Sequence, residues 1–294
     1  MTIFSGSHVG GALTLAVLLA AATFSTADEP ARPPRDTSQH PLTSTIRYAT
    51  SRYDYIRENV RDYSCLLIKR ERIDGELQEY RYLRTLVRRE QIRGGRVIKP
   101  MAVFMQHMES GKLKGRRVLY VEGQNDGKLL VRKGGSGAFN YLKLKIDPHG
   151  AAARRESNYP ITDVGLGKMI ERLIERAKDD IKHDPTAANT QVSHFRNAKV
   201  NGRVCTHIRV VHPKRGEGLE FHRASLYVDD ELHVPIRVVV YGWPTRQGED
   251  PPLIEEYTYV DLRLNIGLTD ADFSKAKLDT KPNRPVTTPA SLPR

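Results

Sequence analysis

Cys65-Leu66-Leu67-Ile68-Lys69-Arg70-Glu71-Arg72-Ile73-Asp74-Gly75-Glu76-Leu77 is the stretch that decides how the chain folds. Its first nine residues carry a strand-like apolar run. Asp74-Gly75 then supplies the two residues that most readily form a tight hairpin turn. The chain is therefore expected to double back, with Leu77–Glu90 as the antiparallel partner of Cys65–Ile73. The same punctuation recurs downstream. Gly94-Gly95 marks a break, Met101–Met108 reads as a strand, and Gly115–Glu122 and Lys128–Lys133 flank the turn-forming run Gly123-Gln124-Asn125-Asp126-Gly127. In Tyr141–Ile146, Leu142, Leu144 and Ile146 alternate with Tyr141, Lys143 and Lys145, the period of a half-buried strand. Strands resume at Gln191–Arg196 and Arg203–Val211 across Asn201-Gly202, then at Glu220–Val228, Pro235–Tyr241 and Ile254–Leu264.

Two segments carry a helical period instead. Leu42, Ile46, Ala49, Tyr53, Ile56 and Val60 recur at spacings of four and three, predicting a helix over about Leu42 to Asp62. Leu166, Ile170, Leu173, Ile174, Ala177 and Ile181 form a second stripe, with Pro160 ending the preceding strand and Thr162 as N-cap. The fold class is α+β: a curved antiparallel sheet of about 10–11 strands, curled to protect its edges, with the two amphipathic helices on its concave face. That is a half-open barrel under a helical lid.

The ends read differently. Met1 to Ala27 contain no Asp, Glu, Lys or Arg, and Gly10 to Phe24 are nearly all apolar or small. This core is shorter than the roughly 20 residues of a membrane span. Ser25 and Ala27 place small residues three and one positions before Asp28, so a signal peptide cleaved after Ala27 is expected, with the mature protein periplasmic or otherwise extracytoplasmic. No other long apolar run follows, so the mature chain is not expected to be an integral membrane protein. Residues 28–40 are Pro-rich and expected as a disordered linker, 41–274 as a single domain, and 275–294 as a flexible tail. Cys65 and Cys205, the two cysteines, are a candidate disulfide in an oxidising compartment.

The formal net charge is +12, and the excess is concentrated between Arg61 and Lys133. A basic exported protein attracts anionic envelope surfaces rather than nucleic acid. No nucleophile elbow, zinc-binding helix, phosphate loop or dinucleotide fingerprint is present in the sequence. His194, His207, His212 and His222 lack the spacing of a zinc site, so no metal or cofactor is expected. Glu255-Glu256 beside Tyr257 and Tyr259 could suggest acid–base work, but adjacent strand residues point to opposite faces. The chain is accordingly read as a binding protein and not an enzyme.

The candidate ligand-binding residues come from alternation and helical stripes. Met101, Val103 and Met105 share one strand face, Leu142 and Leu144 extend it, and Met169, Ile170 and Leu173 would cover it. Methionine adapts to varied apolar ligands. Burial of a lipid chain contributes roughly 0.8 kcal/mol per methylene. The expected partner is thus a lipid or an acylated lipoprotein. The rival is an envelope interaction or signalling module whose concave face is packed shut and which binds anionic partners through its basic strands.

Two resemblances add to this. Ser225-Leu226-Tyr227-Val228-Asp229-Asp230-Glu231-Leu232-His233-Val234-Pro235-Ile236-Arg237 looks like the late hairpin of the outer-membrane lipoprotein carriers and related envelope-stress regulators. The ending from Glu256 to Phe273 is similar to their terminal strand, asparagine-containing turn and closing Phe. More closely, Lys69-Arg70-Glu71-Arg72, Tyr120-Val121-Glu122-Gly123-Gln124-Asn125-Asp126-Gly127-Lys128, Tyr159-Pro160-Ile161-Thr162 and Glu255-Glu256-Tyr257-Thr258-Tyr259 resemble the bacterial domain-of-unknown-function family 1571. The resemblance implies the half-barrel fold and brings no ligand residue with it.

Overall fold

Asp74 and Gly75 both adopt left-handed backbone, with φ of 50° and 84°, the geometry a two-residue hairpin requires. In the computed structural model, which describes residues 39–279 apart from positions 110 and 247, β1 (Asp62–Ile73) turns there into β2 (Glu76–Leu77) and continues as β3 (Arg81–Arg88). A projecting hairpin of β4 (Gln91–Arg93) and β5 (Arg96–Lys99) leads to β6 (Ala102–His107), β7 (Arg117–Val121), β8 (Leu129–Arg132) and β9 (Lys143–Ile146). The second half comprises β10 (Gln191–Val200), β11 (Arg203–Val211), β12 (Arg223–Asp229), β13 (Pro235–Tyr241) and β14 (Leu253–Leu264). Eleven of them pair antiparallel in the order β10-β11-β12-β13-β14-β1-β3-β6-β7-β8-β9, β2 pairs with β1 beside this path, and β4 and β5 form a two-stranded sheet of their own. The two consecutive meanders meet where β14 pairs with β1, from Tyr63 opposite Leu264 to Glu71 opposite Glu255. The result is an open, curved sheet in an α+β fold.

The helices lie on the concave side. α1 (Pro41–Asn59) precedes the sheet, and the connection from β9 back to β10 contains the short α2 (Ala151–Arg154) and the long α3 (Leu166–His183). α1 and α3 pack together in opposite directions. His40, at the start of α1, has its Nε2 3.0 Å from the carbonyl oxygen of Asp184 beyond the end of α3, while Gly167 at the start of α3 lies against Ile56 and Tyr53. The core between sheet and helices includes Ile56, Leu67, Val103, Leu166, Ile170, Ile208 and Ile236, all under 5% exposed. α1 ends at Asn59, ahead of the expected Asp62, because Asp62 already pairs with Arg88 in the sheet. α3 begins at Leu166 and not at Thr162: Ile161–Asp163 form their own 3₁₀ turn, and Gly165 at φ 143° redirects the chain.

A buried polar knot fixes α3 to the sheet. Lys69 pairs with Glu71 at 2.8 Å, Ser157 donates to Glu71 at 3.0 Å, and Tyr257 also donates to Glu71. Tyr159 donates to Glu255 at 2.9 Å, with the Arg172 guanidinium of α3 4.0 Å from its ring centroid. Burial, with the Glu71 charge nearby, raises the Glu255 carboxyl above its usual range.

The convex side of β3 to β8 carries a second core, in which Phe104, Leu119 and Val121 pack under Leu268, Phe273 and Leu278. Arg117 is fully buried and donates to the Leu278 carbonyl at 2.8 Å, and Arg88 pairs with Asp270 at 2.5 Å. Lys275–Leu278 is therefore a packed 3₁₀ turn, which corrects the expectation of a flexible tail starting at 275. The remainder of that tail, the expected signal segment 1–27 and most of the linker 28–40 lie outside the described residues. No helix among the described residues is long and apolar enough to cross a membrane.

Cys65 and Cys205 are both buried and unbridged, so the expected disulfide is not formed. β1 and β11 are separated by β12, β13 and β14, four strand spacings or roughly 19 Å along the sheet, whereas a bridge needs Cα atoms within about 7 Å. Tyr141–Ile146 is corrected too. As the terminal strand of the order, β9 has a neighbour on one side only, and Leu142 and Leu144 remain 39% and 38% exposed.

Two outcomes follow from this packing. Leu278→Ala should cost about 2 kcal/mol in urea unfolding; an unchanged midpoint would show that the C-terminal turn contributes nothing. Because its folded pKa is raised, Glu255 supports the fold most at low pH, and that support is lost as pH rises through the raised value. Glu255→Gln should thus raise Tm on the order of 2 °C at pH 8, with the gain disappearing near pH 4. A gain that grows on acidification would contradict the assignment.

Candidate functional site

Register places three of the sequence-derived residues, Val103, Met105 and Leu144, on one face of the sheet. Val103 and Met105 of β6 lie opposite Tyr120 and Val118 of β7. Val118 lies opposite Val131 of β8, and Val131 opposite Leu144 of β9. The face is concave and is filled by the protein's own side chains. Val103 and Ile170 are completely buried, Met105 and Met169 nearly so, and Met101 packs at the margin. Leu142 and Leu144 stand at the open edge, apart from this packing. Leu173 lines an open space.

That space lies on the other half of the sheet. Between α1, α3 and strands β11 to β13 runs a shallow crevice with a cavity volume of about 60 Å³. Leu42, Ile46 and Ala49 of α1 form one wall, and Leu173, Ile174 and Ala177 of α3 another. Ile208 and Val210 of β11, Leu226 of β12 and Val238 of β13 form the floor. The reason for the gap is side-chain size. Ala49, Ala177 and Ala224 face it, whereas the corresponding layer over β1 to β8 is filled by Tyr63, Leu67, Met105 and Tyr120. Arg176 of α3 stands at the mouth and forms an ion pair with Glu220 in the loop before β12. Such a solvent-exposed pair is worth little, so it does not lock the mouth. These crevice residues were visible in sequence as helical and strand stripes, but no pattern distinguished them from core.

One end of the crevice is polar. Asp180, on the last turns of α3, is 1% exposed, and its Oδ2 lies 3.2 Å from Nε2 of the equally buried His212. The Nδ1 of His212 faces the Asn189 carbonyl at 3.1 Å and the Thr190 hydroxyl at 3.3 Å. The series carboxylate, imidazole, hydroxyl has the order of a nucleophilic triad. The hydroxyl, however, is committed: Thr190 is buried and donates to Asp184 at 2.6 Å. The cysteines offer no nucleophile either, since burial raises both thiols, Cys205 to about 12. Glu255 and Glu256 occupy opposite faces of β14. Glu256 accepts from Tyr80 at 3.1 Å and pairs with Arg237 at 2.8 Å, so the two carboxyls do not act on one point. His207 is stacked between Phe195 and Tyr227, with centroids 5.0 and 4.2 Å away. Among the described residues, no three His, Cys, Asp or Glu side chains converge on a metal position.

The chain is similar to several solved structures at low identity. A protein of the DUF1329 family from Desulfovibrio piger is 15% identical, with 82% of this chain and 100% of that chain covered and a TM-score of 0.39. A LolA-superfamily protein from Nitrosomonas europaea is 10% identical over 79% and 98% of the two chains, with a TM-score of 0.34. The lipoprotein LppX of Mycobacterium tuberculosis is 11% identical over 77% and 98%, with a TM-score of 0.40. No curated protein matches the sequence. Residues 60–281 match the family described as protein of unknown function (DUF1571). That span contains all four segments from which the resemblance was read, and the chain belongs to the DUF1571 family.

Proposed function

We propose that this chain is an extracytoplasmic, non-enzymatic binding protein that holds the acyl chain of a lipid or an acylated protein in the crevice between α1, α3 and β11 to β13. The observation that carries the reading is the crevice itself: apolar walls and floor, open at one side, on a sheet whose remaining concave face is filled. Ligand sites usually measure roughly 300–1,000 Å³. The crevice, at about 60 Å³, is too small for a long chain, so entry requires α1 to move outward with respect to the floor. Among the described residues α1 makes no salt bridge to the sheet; hydrogen bonds from Arg89 and Asn265 hold its last turn, while its first turns meet the floor mainly through apolar contacts, so the movement pivots on the C-terminal end.

A second feature supports an anionic surface as partner. The β4–β5 hairpin projects from the sheet with Ile92, Val97 and Ile98 more than half exposed, and Arg93 and Arg96 beside them are exposed as well. Apolar side chains flanked by cations suit the interface of an anionic membrane, where each basic residue near the surface adds about 1 kcal/mol.

Native mass spectrometry of the protein after incubation with envelope lipids tests the first point. Wild type should retain one lipid, and Ala177→Phe, which fills the crevice, should lose it while keeping a native circular dichroism spectrum. A wild-type protein that stays free of lipid would favour the closed interaction module. For the hairpin, flotation with vesicles containing phosphatidylglycerol should be reduced at least fivefold by the combined change Ile92→Ser, Val97→Ser and Ile98→Ser, and also by raising salt to 0.5 M. Equal binding to zwitterionic vesicles would remove the electrostatic part.

A further inference from the structure

The acyl-chain reading, on which this inference rests, leaves two lining residues unexplained. Asp180 and Thr45 both line the crevice, are 1% and 8% exposed, and present Oδ1 and Oγ1 without a hydrogen-bond partner among the described residues. Buried polar atoms are nearly always satisfied, and one left unmade costs about 1–3 kcal/mol. The two sit at the same end of the crevice, because α1 begins where α3 ends. Asp180 is held in place through its other oxygen by His212. Oδ1 accepts only, whereas the Thr45 hydroxyl can also donate.

We propose that this end reads the head of the bound chain, and that the ligand class is an amide-linked or hydroxylated acyl chain. An amide N–H or a hydroxyl donates to Asp180 Oδ1, and the amide carbonyl or hydroxyl oxygen accepts from Thr45. A free fatty acid in its carboxylate form brings acceptor against acceptor at Asp180 and is disfavoured. Selectivity of this kind is strong because a mismatched ligand leaves the site's own buried groups unpaired.

Calorimetric titration of the purified protein at pH 8 with dodecanamide, 1-dodecanol and dodecanoate tests this with one chain length. Dodecanamide and dodecanol should bind at least tenfold more tightly than dodecanoate. Asp180→Asn, which retains an acceptor for His212, should reduce that ratio below threefold. Thr45→Val should weaken dodecanamide about fivefold with little effect on dodecanoate, and it keeps the test available should the Asp180 variant misfold. Equal binding of all three ligands to wild type would overturn the head-group assignment and leave the acyl-chain reading standing, with solvent satisfying both atoms. Failure of all three to bind would remove the acyl-chain reading itself.

Discussion

The pairing of β1 with β14 joins strands about two hundred residues apart in the chain, and everything on the concave side depends on it. The junction is secured at one end by a small set of polar contacts. Asn265 accepts from the Arg61 N–H at 2.8 Å and donates through Nδ2 to the Asn59 carbonyl at 2.7 Å. Its own N–H donates to the Asp62 carbonyl at 2.7 Å, and Gly267 donates to the Asp62 carboxylate at 3.1 Å. The end of α1, the start of β1 and the end of β14 are thereby held at one point. Loop-closure entropy rises only slowly with loop length, so a long ladder of paired residues can offset the cost of bringing such distant strands together.

Once the two meanders are fused, curvature gives the sheet one face that the helices must cover. They cover it unevenly. Over β1 to β8 large side chains reach the helices and close the space. Over β11 to β13 the facing residues are smaller and a crevice persists. Protein interiors tolerate few such voids, and this one has an exit to solvent and polar groups at one end. Both features distinguish it from a packing defect.

The two faces also use charge differently. On the concave side Lys69, Glu71 and the tyrosines form a closed set of partners that fixes the loop ahead of α3. On the convex side Arg88 and Arg117 are buried beneath the C-terminal turn, each reaching a partner in that segment. The buried pair Lys69–Glu71 adds little net stability but is costly to break, and the buried guanidinium groups of Arg88 and Arg117 are likewise costly to leave without their partners. These residues therefore serve chiefly to specify where α3 and the C-terminal segment dock.

Local chemistry determined much of this protein without help from the tertiary structure. Asp74-Gly75 and Asn201-Gly202 placed two hairpins because few other dipeptides adopt left-handed backbone readily, and periods of two and near 3.6 separated strands from helices. The shared face of Val103 and Met105 was legible for the same reason. Residue type and spacing also carried the family resemblance. What the tertiary structure decided was occupancy. Whether an apolar face is filled or open depends on the sizes of side chains arriving from distant segments, as with Ala177 and Leu226 lining the crevice and Ile170 and Val103 within the filled core. Strand order placed Cys65 and Cys205 too far apart to bridge and left Leu142 and Leu144 at an edge. The docking of Leu278, and the polar end at Asp180 and Thr45, come from contacts between segments far apart in sequence, which no local pattern encodes.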